Sequence, residues 1–336
     1  MSEHELRVGL IGAGRMGADH ARRLHERVNG ARLVAVGDPD PDRAGAAADG
    51  IPGARAETDP MTVLGASDVD AVVVASPGPV HEPLLLAAID RGIPVLCEKP
   101  LTPDAKSSLR VVEAEAARGR KLVQVGFMRR FDPEYLELKE TLDTGALGRP
   151  LLLHCAHRNA EHPPGFTTDM LISDSVVHEF DTTRWLLGED ITAVSVRQQG
   201  LEASDDPAIP QIVTMETASG VLVDVEIFVQ CRFGYQVRCE AVCEHGTALV
   251  GADAGMRTHS AGRWGGSVTP DFRPRFRQAF DAEFQRWADA ARRGGIDGAS
   301  AWDGYAAAVA CEAGIDAQRT GRRTALEMAE RPELYG

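Results

Sequence analysis

The 336-residue sequence has no apolar run near the roughly 18 residues that would span a bilayer, so no transmembrane helix is expected. Its opening stretch, MSEHELRVGL, is charged and then runs straight into a strand-like segment, so no secretory leader is expected and the compartment expected is the cytoplasm. Cysteine is sparse. The six (Cys97, Cys155, Cys231, Cys239, Cys243 and Cys311) form no C-x-x-C pair and no metal-finger spacing, which excludes a disulfide framework and leaves reduced, packing thiols. Positive charge is in deficit: 50 acidic residues face 36 basic ones, for a net charge of −14 and a pI near 5.2. A field of that sign repels nucleic acid and anionic membrane, so neither is an expected partner. Repeats and low-complexity linkers are absent. What is present is a 43% hydrophobic content in a chain longer than one core usually serves, which points to two domains.

The first element is LRVGLIGAGRMG. Leu6–Ile11 reads as a buried parallel strand, and Gly12-Ala13-Gly14-Arg15-Met16-Gly17 then matches G-x-G-x-x-G and opens a helix through Ala18 to Val28. Gly12 permits the tight turn, Gly14 lets backbone approach a pyrophosphate, and Gly17 lets helix and sheet pack closely, with phosphate facing the helix N-terminus. A second strand, Ala31–Gly37, ends at Asp38, 21 residues past Gly17. That is where an acid accepts the adenosine ribose hydroxyls. Such an acid repels a 2′-phosphate, so the expected cofactor is NAD, with NADP a weaker alternative that Arg43 nearby leaves open.

Strand and helix continue to alternate through Asp70–Ala75, His81–Arg91, Ile93–Cys97 and Ala105–Ala117, the pattern of a doubly wound parallel sheet. Ligands sit beyond the carboxyl ends of such strands, so Ser76-Pro77-Gly78, the following His81, and Glu98-Lys99-Pro100 are expected to line the cofactor. A lysine at a strand end is commonly a solvated charge, but Lys99, wedged between an acid and a proline in a fixed turn, is suited to aim at a substrate hydroxyl. Lys121–Phe127 reads as the last strand of this part, dividing the chain into a Rossmann domain over 1–126 and a substrate-binding and oligomerisation domain over 127–336. Tyr135 and Lys139 have the Y-x-x-x-K spacing of short-chain dehydrogenases, yet the glycine pattern of that family is missing and Glu137, Lys139 and Glu140 read as the exposed face of an ordinary helix.

Past Gly148 the pattern turns to strands at Leu151–Asn159, Ile191–Gln198, Ile212–Thr217, Val221–Val229, Tyr235–Val242 and Thr247–Gly251, an open, mainly antiparallel sheet in an α+β domain. In the first of these Leu153, Cys155, His157 and Asn159 share a face. His154 points the other way and neither it nor His162 has a carboxylate at ligand spacing, so no metal is expected. Two late helices, Arg275–Arg292 and one capped by Ser300 with Asp303 three residues on, close the chain.

Within this half stands Ser173–Gly188, SDSVVHEFDTTRWLLG. Ser173 is placed to cap a helix that Gly188 ends, and at 3.6 residues per turn Asp174, His178, Asp181 and Trp185 fall on one stripe. The plain reading of that stripe is a solvated polar face beside Val176, Val177, Phe180 and Leu187. The chemical reading is an imidazole with a carboxylate beside it.

GLIGAGRMG, the Glu98-Lys99-Pro100 triplet, GFMRRFD and DSVVHEFDTTRWLLG, in this order, resemble the Gfo/Idh/MocA family of NAD(P)-dependent oxidoreductases over essentially the whole chain. HRN, then TTDMLISDSVVHEFD and YQVRCE, resemble more narrowly the inositol 2-dehydrogenases of bacteria. The resemblance implies a catalytic group of Lys99, Asp174 and His178, polyol contacts at Arg129, His157, Asn159 and Tyr235, and a homotetramer. It also exposes two departures: Pro77 stands where these enzymes usually have tryptophan, and Phe280 where they have tyrosine. A lost neutral hydroxyl removes one hydrogen bond worth about 0.5–1.5 kcal/mol, enough to shift preference among polyols.

Oxidising a secondary alcohol requires a base for the hydroxyl proton while hydride leaves to the nicotinamide. His178, with a reference pKa of ~6.5, suits that task. Lys99 starts at ~10.4 and would need a shift of about three units, roughly 4 kcal/mol, to serve. Asp174 is then the group that orients the imidazole, and Lys99, kept charged, the one that stabilises developing alkoxide charge. The expected reaction is oxidation of myo-inositol to 2-keto-myo-inositol (scyllo-inosose). The alternatives are a sibling enzyme of another sugar, sugar acid or cyclitol, and a non-catalytic NAD-binding regulator, which would need the glycines but not the base.

Overall fold

The computed structural model describes residues 5–199, 205–252 and 257–336, so the first four residues of the charged opening stretch lie outside it. The chain forms two compact units, one of Met1–Met128, Phe280–Ala308 and Ala329–Gly336, the other of Arg129–Ala279 and Val309–Met328. This differs from the contiguous division at 126/127, because two late segments return to the first unit.

The first unit is built on a seven-stranded sheet. Its parallel part, in spatial order, is β6 (Val123–Gly126), β5 (Val95–Glu98), β4 (Ala71–Val74), β1 (Leu6–Ile11), β2 (Ala31–Gly37) and β3 (Arg55–Glu57), with the short β15 (Ala299–Ser300) antiparallel on β6. The central strands are covered on both faces, which is why they read as unbroken apolar runs: Val8, Leu10, Val72 and Val73 are fully buried. β3 has only three residues, all polar or alanine, and carries no apolar signal that a sequence reading could find. The crossover helices are α1 (Arg15–Glu26), α2 (Pro41–Ala48), α3 (Pro60–Gly65), α4 (His81–Arg91) and α5 (Ala105–Arg118). Their starts are local: Asp40, Asp59 and Asp104 each accept a backbone N–H of the first turn, and Gly92 and Gly119 end α4 and α5 in the left-handed region. The late residues Phe284, Trp287, Ala288 and Ala291 pack into the same core as Leu6, Val8 and Leu24, and that burial brings their segment back to this unit.

The second unit holds a second seven-stranded sheet, ordered β12 (Gly246–Val250), β11 (Gln236–Cys243), β7 (Pro150–Arg158), β10 (Leu222–Phe228), β9 (Gln211–Thr217), β8 (Ile191–Gln198) and β16 (Thr324–Ala325). All its pairings are antiparallel except β7 with β10, which is parallel, so the expected run of hairpins is broken once. A hairpin of β13 (Thr258–Ser260) and β14 (Arg263–Gly265), and the helices α6 (Pro133–Asp143), α7 (Thr168–Met170), α8 (Val177–Leu187) and α9 (Phe272–Arg275), belong here too. The last helices of the chain are α10 (Arg277–Ala291) and α11 (Ala301–Thr320), the latter opened by the expected Ser300/Asp303 capping box.

Ser173 does not cap a helix. The helical run begins at Thr168, continues as a π-helix over Leu171–Val176 and passes into α8, and Ser173 lies inside it with Oγ donating to the Asp169 carbonyl at 3.2 Å. The sequence signal failed because a serine followed by acids looks the same at a cap and inside a helix that back-bonds to the preceding turn. Asp174 therefore sits in a widened, i→i+5-bonded turn directly before His178, a distortion that recurs at functional sites.

Candidate active site

In the first unit the β1–α1 turn is shaped to admit a pyrophosphate. Gly12 has φ +92°, and a Cβ there would lie 2.6 Å from the Ser76 backbone nitrogen; one on Gly17 would lie 1.9 Å from the Gly12 carbonyl oxygen. Among the described residues nothing lies within 4 Å of a Cβ added at Gly14, and it, Arg15 and the half-buried Met16 leave the start of α1 open. Asp38 is 4% exposed at the end of β2. Its Oδ2 accepts the Ala13 N–H at 2.8 Å, while Oδ1 accepts the Asp40 N–H at 2.9 Å and the Arg43 guanidinium at 2.8 Å. Burial opposes its charge, but the two amides and Arg43 together hold the carboxyl below its usual range. A fixed anion is thus held against the glycine turn with Oδ2 carrying a single bond, which fits a ribose hydroxyl and disfavours a phosphate.

His81, expected to line the cofactor, stands between two loops. It is fully buried, with Nε2 2.8 Å from the Ser76 carbonyl and Nδ1 2.9 Å from that of Pro100, and it ties the loop after β4 to the loop after β5. Ser76 Oγ, on the first of these loops, is buried without a hydrogen-bond partner among the described residues. The Lys99–Pro100 peptide is cis. Glu98 carries a hydrogen bond to His20, and Lys99 is half-buried beside it.

In the second unit every residue from Val177 to Arg184 is buried, so the solvated face that α8 might have had is not there. Its charged side chains Glu179, Asp181 and Arg184 are each matched by an opposite charge. Asp181 accepts two N–H groups of Arg130, at 3.0 and 2.6 Å, and Arg184 donates to Asp190 at 2.6 Å. Asp181 is therefore a structural anchor, although it shares the expected stripe with His178.

Glu179 is the residue that sequence reasoning missed. It is 2% exposed, pairs with the Arg129 guanidinium and lies 3.2 Å from His157 Nδ1. Burial opposes its charge, but Arg129 and then His157 outweigh burial and hold the carboxyl down at about 2. Tyr235 stands edge-on to His157 with ring centroids 6.0 Å apart, and burial pushes its phenol up to about 12 against the pull of Arg129, so it stays protonated at neutral pH. His178 comes in from α8 with its ring centroid 6.5 Å from that of His157. The side-chain Oδ1 of Asn159, just past the end of β7, is buried with no hydrogen-bond partner among the described residues. Arg129, His157, His178, Glu179 and Tyr235 thus form one buried polar cluster, with Asn159 just past the end of the strand that carries His157. Lys99 belongs to the first unit, Asp174 and His178 to the second. The one clue to Glu179 in the sequence was an inward histidine and a strand-end arginine with no counter-charge yet assigned.

Three further side chains can be placed. Tyr135 is buried and Lys139 pairs with Asp143, an ordinary helix face. His154 is exposed and bonded to Asp224, and among the described residues no group of histidine, cysteine and acid side chains has metal-binding geometry.

This pair of architectures, a glycine-turn Rossmann unit and a mixed-sheet unit with a buried imidazole, is that of a two-part nucleotide-dependent oxidoreductase. The NAD-binding Rossmann model of the Gfo/Idh/MocA oxidoreductase family matches residues 6–127, and the model of that family's C-terminal domain matches residues 135–249. Inositol 2-dehydrogenase 4 of Saccharopolyspora erythraea is 74% identical over the whole of both chains, and the inositol 2-dehydrogenase of Pseudarthrobacter chlorophenolicus is 56% identical over 98% of each. The crystal structure of myo-inositol dehydrogenase from Lactobacillus casei, in complex with NAD(H) and myo-inositol, superimposes with a TM-score of 0.93 at 33% identity, covering 98% of this chain and 99% of its own. The chain belongs to the Gfo/Idh/MocA family of NAD-dependent oxidoreductases.

Proposed function

We propose that the chain oxidises myo-inositol to 2-keto-myo-inositol with NAD. His178 takes the hydroxyl proton, Asp174 orients its imidazole, and Lys99 hydrogen-bonds the reacting oxygen and stabilises the charge that develops on it. When bound, the nicotinamide ring accepts the hydride. Arg129, His157, Asn159 and Tyr235 contact the other hydroxyls, with Glu179 holding the first two of these in place. Gly12 to Gly17, Asp38 and the loops at Ser76 and Glu98 hold the cofactor. The observation that carries this reading is the buried cluster around His178: polar groups that donate and accept hydrogen bonds, 8% exposed or less, suit a polyhydroxylated ring far better than an apolar substrate. The relatives' substrates support it, and the Asp38 carboxylate supports NAD over NADP.

The enzyme acts in the cytoplasm, in keeping with six free thiols. It works as a homotetramer, a reading supported by Ile212, Leu222 and Leu249, each 41–53% exposed, which the strand register sets on the same outer face of the second sheet. The test is NADH formation at 340 nm with a panel of cyclitols and sugars, run with NAD and with NADP. Fast NAD-dependent oxidation of myo-inositol is expected. Turnover of a different polyol alone would move the substrate, and silence throughout despite tight NAD binding would favour a regulator.

A further inference from the structure

Glu98, the first residue of the triplet that carries Lys99, lies at the end of β5 with its side chain 15% exposed, and its Oε1 is 2.7 Å from Nε2 of His20. Gly126 on the neighbouring strand makes room for it, since a Cβ there would stand 3.2 Å from Glu98 Oε2. His20 is fully buried, and its other nitrogen, Nδ1, is 2.8 Å from Nη1 of Arg23. A guanidinium can only donate, so Nδ1 must offer its lone pair, Nε2 must carry the proton, and that proton must go to Glu98. The imidazole is thereby fixed in one neutral tautomer. Arg23, 6% exposed, is held in turn by Asp19 at 3.0 Å and Asp281 at 2.9 Å, with its Cζ 5.1 Å from the centre of the Phe280 ring and 5.5 Å from that of Phe284. The His20 ring lies 4.5 Å from that of Phe284, centroid to centroid.

We propose that Asp281, Arg23, His20 and Glu98 form a buried positioning chain that fixes the backbone of the Lys99 turn, and that His20 is its directional link. All four lie in the first unit, and His20 and Arg23 stand one turn apart on α1, the helix that starts at the glycine turn. The helix that faces the pyrophosphate therefore also sets where the lysine begins. If packing alone were needed here, an apolar side chain between Phe280 and Phe284 would supply it without the cost of burying an imidazole and a guanidinium. What the polar chain adds is direction: one donor, one acceptor and one tautomer at each link. A displacement on the order of 1 Å in a group that must meet the reacting oxygen costs about 10²-fold in rate.

The inference rests on the proposed role of Lys99, and its test separates the two. His20→Leu keeps the volume and removes the donor, whereas His20→Gln returns an N–H toward Glu98. In the full chain, His20→Leu is expected to lower kcat by about 10–100-fold while the KM for NAD stays within about threefold, and His20→Gln to recover a large part of the loss. Glu98→Ala, which breaks the chain from its outer end, covers the case in which His20→Leu fails to fold, and should lower kcat similarly. Hydrogen exchange of residues 96–103 in NAD-loaded protein reads the same positioning without turnover, and should quicken in His20→Leu and Glu98→Ala but not in His20→Gln. Equal losses in the leucine and glutamine variants would mean packing alone and would overturn the proposal, as would normal kcat and exchange in both broken-chain variants. A wild-type chain that oxidises no polyol yet shows this exchange pattern would overturn the proposed reaction and uphold the positioning chain.

Discussion

The glycine turn of the first unit and the polar cluster of the second both hold hydrogen-bonding groups ready for a ligand, but by different physics. In the first the geometry is set by the backbone: Gly12 in the left-handed region, Gly17 against a carbonyl, and Asp38 fixed by the Ala13 and Asp40 amides. In the second it is set by charge, with Arg129, Glu179 and His157 locking one another inside a sheet-and-helix interior. Backbone geometry is written in neighbouring residues and is kept at almost any pH. A charge cluster is assembled from residues 50 positions apart in the chain and exists only while its carboxylate is ionised.

The largest effect is expected when the imidazole of the second unit is removed and the first unit is left intact. His178→Ala should lower kcat for polyol oxidation by about 10²–10⁴-fold, the usual share of a general base, with NAD affinity unchanged. Turnover at 340 nm, alongside NAD binding followed by protein fluorescence, checks both halves. Near-normal turnover would remove His178 from its role.

A smaller effect is expected from the charge that supports the cluster. Glu179→Ala leaves Arg129 buried without its carboxylate partner, which costs about 3–5 kcal/mol of stability. Its pH dependence has a definite sign. The Glu179 carboxyl lies at about 2 in the fold against 4.5 ordinarily, so its stabilisation is complete above about pH 5 and is lost as pH falls toward 2. The shift corresponds to about 3 kcal/mol. Urea midpoints measured at pH 7 and pH 3.5 should converge between wild type and variant as pH falls; parallel curves would show that Glu179 carries no such charge.

These contrasts explain what could be read in advance. The Rossmann half was legible because strand, glycines and the acid Asp38 lie within about one βαβ unit, and each has a local reason to be where it is. His178 and Asp174 were legible as a pair on one helical run. The π-turn between them was not, since nothing in ISDSVV distinguishes i→i+5 from i→i+4 bonding. Glu179 was hidden because a helix acid reads as solvated until its partners from another strand and loop are known. For His81 the sequence shows only a histidine that opens a helix; that it also joins two loops, with carbonyl oxygens beside both nitrogens, needs the fold.

The smallest expected effect concerns Phe280, where a tyrosine stands in the enzymes this chain resembles. Its ring is 3% exposed and lies against His20, with centroids 5.9 Å apart, and beneath Arg23. It thus serves the first unit's polar chain as an apolar wall. A hydroxyl added by Phe280→Tyr must find an acceptor among side chains already committed to one another, or reach a ligand. A neutral hydrogen bond to a substrate would be worth about 0.5–1.5 kcal/mol, a change of roughly two- to twelvefold in KM for a polyol. The expected outcome is a shift within that range for some cyclitols and not others, with kcat kept within about twofold, measured over the same substrate panel. A loss of kcat without a change in KM would instead place the ring's contribution in the alignment of Arg23 and His20, and so join this position to the Lys99 chain.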